Sequence, residues 1–287
     1  MKLVNFYAGE KVYLGIKTDK GIINVEKTAN NHNLNVPTTI EQVINGNMKA
    51  IAELKELEKL DNPILPEEDI VYAPCVTKPE KIICVGLNYA PHVEESKMEL
   101  PKNPVLFSKF NNALAAHKQT IQLPKVDEKF DYEAELVIVI GKEAANVSEE
   151  EALSHVFGYT VGNDLSARSL QFVSGQWLLG KSLDHFAPIG PYLVTADDID
   201  PNNLDIRCEV NGELRQSGNT KDMIFDIATI INYVSKHMTL KPGDVIFSGT
   251  PEGVIIGYPE EQQVWLKSGD KVAVSIENIG ELVNVLE

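Results

Sequence analysis

The chain has 287 residues, of which 43% are apolar and 24% charged, and its formal net charge is −16. That length suits one large domain plus a small one, with apolar content enough for a sizeable core. The acidic balance argues against a nucleic acid or an anionic membrane surface as partner, and an anionic small substrate would need a local cation to offset the field. The longest clean apolar runs, such as 136–140, are about five residues, whereas a membrane span needs about 18. The first residues lack the apolar core of a signal peptide. Cys75, Cys84 and Cys208 are odd in number and have no metal-type spacing, which fits buried filler in a reduced, cytoplasmic protein.

Residues 1–75 read as a small N-terminal α+β domain. Strands are expected at 4–7, 12–16 and 21–25, then a helix over 39–60 with Gly46 as a break and Asp61-Asn62-Pro63 as its end. Nothing there looks chemical. A boundary falls at 74–79, and residues 76–287 form the second, larger domain. A short strand runs into Gly86 and then into a helix opening with Pro91 at an early position. His92 and Glu95 are three apart and share a helix face, so the carboxylate can orient the imidazole and raise its basicity. Taken alone, a solvated helix start with an incidental charge pair accounts for this segment better. A strand at 104–110 precedes the stretch 131–141, whose apolar, β-branched second half ends on Gly141. In a strand Glu133 and Glu135 point to one face with Cα atoms about 7 Å apart. Two like charges entering an apolar strand call for a cation between them; a pair of surface glutamates explains the stretch equally well.

Ser148 with Glu151 three residues on is a capping-box pattern. The helix it opens leads to a strand at 156–162 that ends near Asp164, a third carboxylate. Lys181 precedes a loop through Pro188 and Gly190. Next come a strand at 204–210, the hairpin signal Asn211-Gly212 and an amphipathic helix over 223–238. The strand from 245 opens into Gly249-Thr250-Pro251, which can offer an amide and a hydroxyl to an anion but reads more readily as a tight turn. Strands at 264–266, 270–276 and 282–286 complete a strand-rich α+β chain.

From about residue 78 onward the chain resembles the fumarylacetoacetate hydrolase superfamily, in the branch of acylpyruvate hydrolases and oxaloacetate decarboxylases. The motifs are Gly-Leu-Asn-Tyr-Ala-x-His at 86–92, Glu-x-Glu-Leu at 133–136, Gly-x-Asp-Leu-Ser-Ala-Arg at 162–168, Lys-Ser at 181–182, Val-Asn-Gly-Glu-Leu-Arg-Gln at 210–216 and Ser-Gly-Thr-Pro-x-Gly-Val at 248–254. The resemblance implies a mixed β-sandwich/β-roll catalytic domain and a homodimer. It implies Mg²⁺ or Mn²⁺ on Glu133, Glu135 and Asp164, an oxygen-only set of the kind hard cations take. Some relatives place an aspartate where this chain has Asn88. The implied substrate is a small anionic 2-oxo or 2,4-dioxo acid, cleaved at a carbon–carbon bond through an enolate stabilised at the ion. Lys181 would neutralise developing charge, His92 and Glu95 would activate water, and Arg168, Gln171 and Thr250 would contact substrate. The other activities the motifs admit are isomerisation or hydration of unsaturated oxo-diacids and a ureidoglycolate-type lyase. A non-catalytic binding protein on the same fold is the remaining alternative.

Overall fold

The computed structural model describes residues 1–287. Strands Lys2–Ala8, Lys11–Thr18 and Gly21–Asn24 form an antiparallel meander. Its first strand also pairs with Ala187–Thr195, with Leu3 opposite Leu193. The sheet then continues through Val156–Asn163, Ala134–Ile140, Val245–Phe247, Ile82–Gly86 and Val105–Lys109, so both sides of residue 75 share one 12-stranded sheet. They also share a core: Leu3, Ile16 and Leu54 lie in one buried cluster with Val137, Phe157 and Phe247.

The helix Ile40–Glu58 buries Val43, Ile44, Ile51, Leu54 and Leu57 in that core. Thr39 caps it by accepting from the Gln42 amide, and the expected interruption falls on Asn47, at φ 49° and ψ −137°. Every residue of Ala134–Ile140 and Val156–Asn163 is buried, which explains the continuous apolar run at 136–140: both faces of this part of the sheet are covered.

One cover is a four-stranded sheet of Glu213–Asn219, Asp205–Val210, Lys271–Ile276 and Gly280–Val285. Asp205–Val210 alternates strictly between exposed and buried residues, the signature of a strand packed on one face. The turn at Asn211-Gly212 has φ of 54° and 82°, the backbone that a two-residue hairpin requires. The inner faces meet in a core of 37 buried residues, joined by Ile227, Ile230, Ile231 and Val234 of the helix Ile227–His237.

Four local expectations need correction. Residues 131–141 split into the short strand Phe130–Asp131 and the long one from Ala134. Ser148 precedes only a four-residue helix, Glu149–Ala152, and makes no capping bond to it; its hydroxyl meets the Glu151 carboxylate at 3.2 Å. The 223–238 helix starts four residues late, because Asp226 accepts from the Thr229 amide and sets the cap there. At 264–266 a single bridge joins Leu266 to Phe130 in place of a strand. All three cysteines are free and buried. No helix is long and apolar enough to cross a membrane.

Candidate active site

The antiparallel pairing of Ala134 with Asn163 and Glu135 with Gly162 sets the start of one buried strand beside the end of another. Glu133 and Glu135 therefore arrive next to Asp164. The approach is fixed by the backbone: Asn163 Oδ1 accepts from the Glu133 amide at 3.0 Å, and the Asp164 amide donates to the Glu133 carbonyl at 2.9 Å. One oxygen from each of the three carboxylates lies within 4.8 Å of the others. Glu133 and Glu135 line a cavity of about 610 Å³ whose walls also include Lys181, His92 and Glu95, and Asp164 lies beside them just beneath it.

Buried cations surround the trio. Lys181, last residue of the helix Leu178–Lys181, places Nζ 2.8 Å from Glu133 Oε2 and 3.0 Å from Asp164 Oδ2. Lys109 Nζ is 2.5 Å from Asp164 Oδ1 and donates to the carbonyls of Leu165 and Phe186. Arg168 joins Glu133 Oε1 at 2.8 Å and Asp131 Oδ2 at 2.7 Å, and it donates to Gln171 Oε1 at 2.9 Å. Asp131 in turn accepts from the Ile255 amide at 2.8 Å.

Four buried carboxylates, Asp131, Glu133, Glu135 and Asp164, thus face three buried cations, Lys109, Arg168 and Lys181. The one without an ion pair is Glu135, which accepts only from the Gly249 amide at 2.7 Å. Gly249 holds φ at 101°, a backbone open to glycine without strain. The two glutamates respond oppositely. Burial resists charge on Glu133, but Lys181 and Arg168 overcome it and hold its carboxyl at about 2. Burial pushes Glu135 well above the usual carboxylate range, and the neighbouring Asp164 and Glu133 add to the rise. An oxygen-only trio with one unneutralised carboxylate fits a hard divalent cation such as Mg²⁺ or Mn²⁺.

Across the cavity, the helix Ala90–Glu95 carries His92, whose Nδ1 lies 2.8 Å from Glu95 Oε1. Glu95 Oε2 accepts from the Gly253 amide at 2.9 Å. With Nδ1–H donating to Glu95, Nε2 keeps its lone pair, the arrangement of a general base. Thr250 Oγ1 accepts from Gln216 Nε2 at 2.8 Å, which leaves its hydroxyl proton free to donate. Asn88 is fully buried; its amide donates to the carbonyls of Ser248 and Phe225 and accepts from the Phe225 amide. An aspartate there would set a buried charge against two carbonyls.

All nine residues singled out in the sequence except Asp164 line this one cavity; Asp164 lies directly beneath it, covered by its lysines. Three structural contributors had no role in that reading. Asp131 orients Arg168, Lys109 pairs with Asp164, and Gln216 ties the Ala134 amide to Thr250 and to the Pro251 carbonyl. The available signals were a lone lysine in the apolar strand at 104–110 and the polar ends of the 131–141 and 210–216 stretches. Gln216→Ala leaves the Ala134 amide without its buried acceptor. It should cost about 1–3 kcal/mol of stability, readable in urea melts; an unchanged midpoint would show the bridge to be dispensable.

Fold and site together define a strand-rich α+β protein with a buried acidic centre beneath a small-molecule cavity. Residues 81–287 match the family model described as fumarylacetoacetate (FAA) hydrolase C-terminal. A mitochondrial oxaloacetate tautomerase of Homo sapiens is 40% identical over 291 residues, covering 99% of this chain and 91% of its own. The solved fumarylacetoacetate hydrolase of psychrophilic Exiguobacterium antarcticum superposes with a TM-score of 0.86 at 36% identity, covering 100% of this chain and 99% of that one. A maleylpyruvate hydrolase from Sphingobium, solved with manganese(II) and pyruvate, gives 0.81 at 29% identity, covering 100% and 98%. The chain belongs to the fumarylacetoacetate hydrolase family, a family of enzymes.

Proposed function

We propose that this protein interconverts the keto and enol forms of a small 2-oxo acid, with oxaloacetate the first candidate, using Mg²⁺ or Mn²⁺ held by Glu133, Glu135 and Asp164. The carrying observation is that the carboxylate trio, Lys181 and the His92–Glu95 pair all border one cavity or lie directly at its floor. The name of the human relative supports oxaloacetate as substrate, and the manganese-bearing structure supports the metal. When bound, the divalent ion supplies Lewis-acid polarisation of the substrate's carboxylate and keto oxygens.

The protein's own groups do the rest. His92 Nε2 takes a proton from the carbon next to the keto group, while Glu95 holds the ring in the correct tautomer and stabilises the imidazolium. Lys181 places its ammonium where charge develops on oxygen. Return of the proton to carbon gives the keto form, and its delivery to oxygen gives the enol. Thr250 donates to the substrate carboxylate. Carbon–carbon cleavage is the second reading, favoured by the same His92–Glu95 pair acting on a water molecule; decarboxylation needs only the stabilised enolate. A homodimer in a reducing compartment completes the proposal: the family resemblance supports the dimer and the three free, buried cysteines support the reducing setting, while the mitochondrial human relative speaks against a specifically cytoplasmic one.

The test is a panel with added Mn²⁺, following the ultraviolet band of enol-oxaloacetate and pyruvate release from acetylpyruvate and oxaloacetate. Fast decay of the enol band, lost on chelation, supports tautomerisation; metal-dependent pyruvate release moves the assignment to cleavage. Turnover unaffected by EDTA would overturn the metal. His92→Ala should slow turnover about 100-fold with Mn²⁺ affinity unchanged, and wild-type rates in that variant would remove the dyad from the chemistry.

A further inference from the structure

The active-site cavity shares a wall with a second cavity of about 650 Å³, and Phe107 and Trp177 are the two residues common to both linings. Their rings meet edge to face, with centroids 5.3 Å apart at 65°. Gly86 is what lets the indole lie there: a Cβ on residue 86 would fall 2.6 Å from Trp177 Cζ3. Lys181 Nζ is 5.0 Å from the centre of the Phe107 ring. Lys181, Phe107 and Trp177 thus follow one another in contact, with Lys181 lining only the catalytic cavity and the two rings bordering both. The second cavity has 14 lining residues, eight of them apolar, Leu106, Phe110, Leu178 and Met238 among them; its two lysines are already paired, Lys81 with Asp244 and Lys109 with Asp164, so its free lining packs a hydrocarbon better than a second carboxylate.

We propose that Trp177, seated on Gly86 and backed by Phe107, sets the substrate's length limit by closing the catalytic cavity against this apolar neighbour. Short 2-oxo acids fit on the Lys181 side of the partition, and longer apolar acyl chains are excluded by the indole. This rests on the functional reading above and names the residue that decides chain length within it. The half-buried Trp177 follows an exposed loop, 172–176, and lies four residues before Lys181, so the length filter and the charge-stabilising group are carried by adjoining pieces of backbone.

The test uses Mn²⁺-loaded protein and calorimetric titration with oxamate, N-ethyloxamate and N-hexyloxamate, which mimic 2-oxo acids and do not turn over. Wild-type protein should bind the two short probes and discriminate against the hexyl one. Trp177→Ala should raise the hexyl-to-oxamate affinity ratio about ten-fold or more, as expected when a hydrophobic pocket gains room for several methylenes. Trp177→Leu gives the same readout with a smaller gain if the alanine variant does not fold. Ser108 is exposed and lines only the second cavity; adding Ser108→Trp to Trp177→Ala should plug that cavity and return the ratio to the wild-type value. A ratio unchanged in both Trp177 variants, or a gain that survives the plug, overturns the partition. Failure of wild-type protein to bind oxamate itself overturns the functional reading, and the partition's role with it.

Discussion

Replacing Glu135 with glutamine should abolish turnover and at the same time make the metal-free protein more stable. The side chain keeps its size and its acceptor for the Gly249 amide. What it loses is a carboxylate that is 2% exposed and has no ion-pair partner. Such a group destabilises the fold whether it stays charged without a partner or has to take up a proton, and glutamine avoids both. The pH dependence carries the same signature. The unfolded chain releases the Glu135 proton near pH 4.5, whereas burial and the facing Asp164 and Glu133 make the folded chain keep it well above that. Above pH 4.5 the native state therefore holds more protons than the unfolded one. Metal-free stability falls as pH rises, until Glu135 ionises in the fold as well. Thermal melts in EDTA from about pH 5 to about pH 8 should slope downward for the wild type and run flatter and higher for Glu135→Gln. Mn²⁺ affinity should drop at least about 100-fold, beyond the range typical for groups one shell further out. Parallel melting curves would remove Glu135 as the buried group behind the slope, and full Mn²⁺ binding by the variant would remove it from the metal site.

How much of this was legible beforehand divides along physical lines. The strand cores were, because buried β-branched runs and the Asn211-Gly212 turn are local signals. The carboxylate trio was, because Glu133 and Glu135 sit two apart and Asp164 closes a recognisable motif. What the sequence did not show depends on distant pairings. The meander at residues 2–24 joins the sheet through Leu3 and Leu193, about two-thirds of the chain apart. Lys109, Asp131 and Gln216 take their roles only when separate strands meet at the cavity floor. Arg168 was expected at the substrate; the fold directs its guanidinium onto Asp131 and Glu133 while keeping it in the cavity wall. Keto–enol interconversion was not among the reactions weighed from sequence. The same enolate chemistry underlies cleavage and tautomerisation, so the motif cannot separate them.

Lys181→Met should act in the opposite direction on the metal-free fold. Methionine matches the stem in length but leaves Glu133 Oε2 and Asp164 Oδ2 without the ammonium now at 2.8 and 3.0 Å. Both carboxylates are buried, and breaking such a pair from one side costs about 3–5 kcal/mol, a large part of what holds a domain folded. A divalent cation at the same carboxylates replaces the missing charge, so Mn²⁺ should recover much of the lost stability without recovering turnover, which needs the ammonium beside the developing oxyanion. Acid provides an independent check. Burial disfavours the Glu133 carboxylate, yet Lys181 and Arg168 hold its folded value at about 2. Its contribution to stability is whole above the unfolded value of 4.5 and disappears as pH falls toward 2. Without Lys181 the folded value moves up, so that contribution is already diminished at neutral pH and the acid limb becomes shallower. Circular dichroism of wild type and variant in EDTA, followed from neutral to acid pH, reads this directly. Equal stability of the two proteins at neutral pH would mean that Lys181 is not the counter-ion of Glu133 and Asp164. A large loss that Mn²⁺ repairs, set against the gain expected for Glu135→Gln, identifies charge imbalance, rather than packing, as what governs this buried centre.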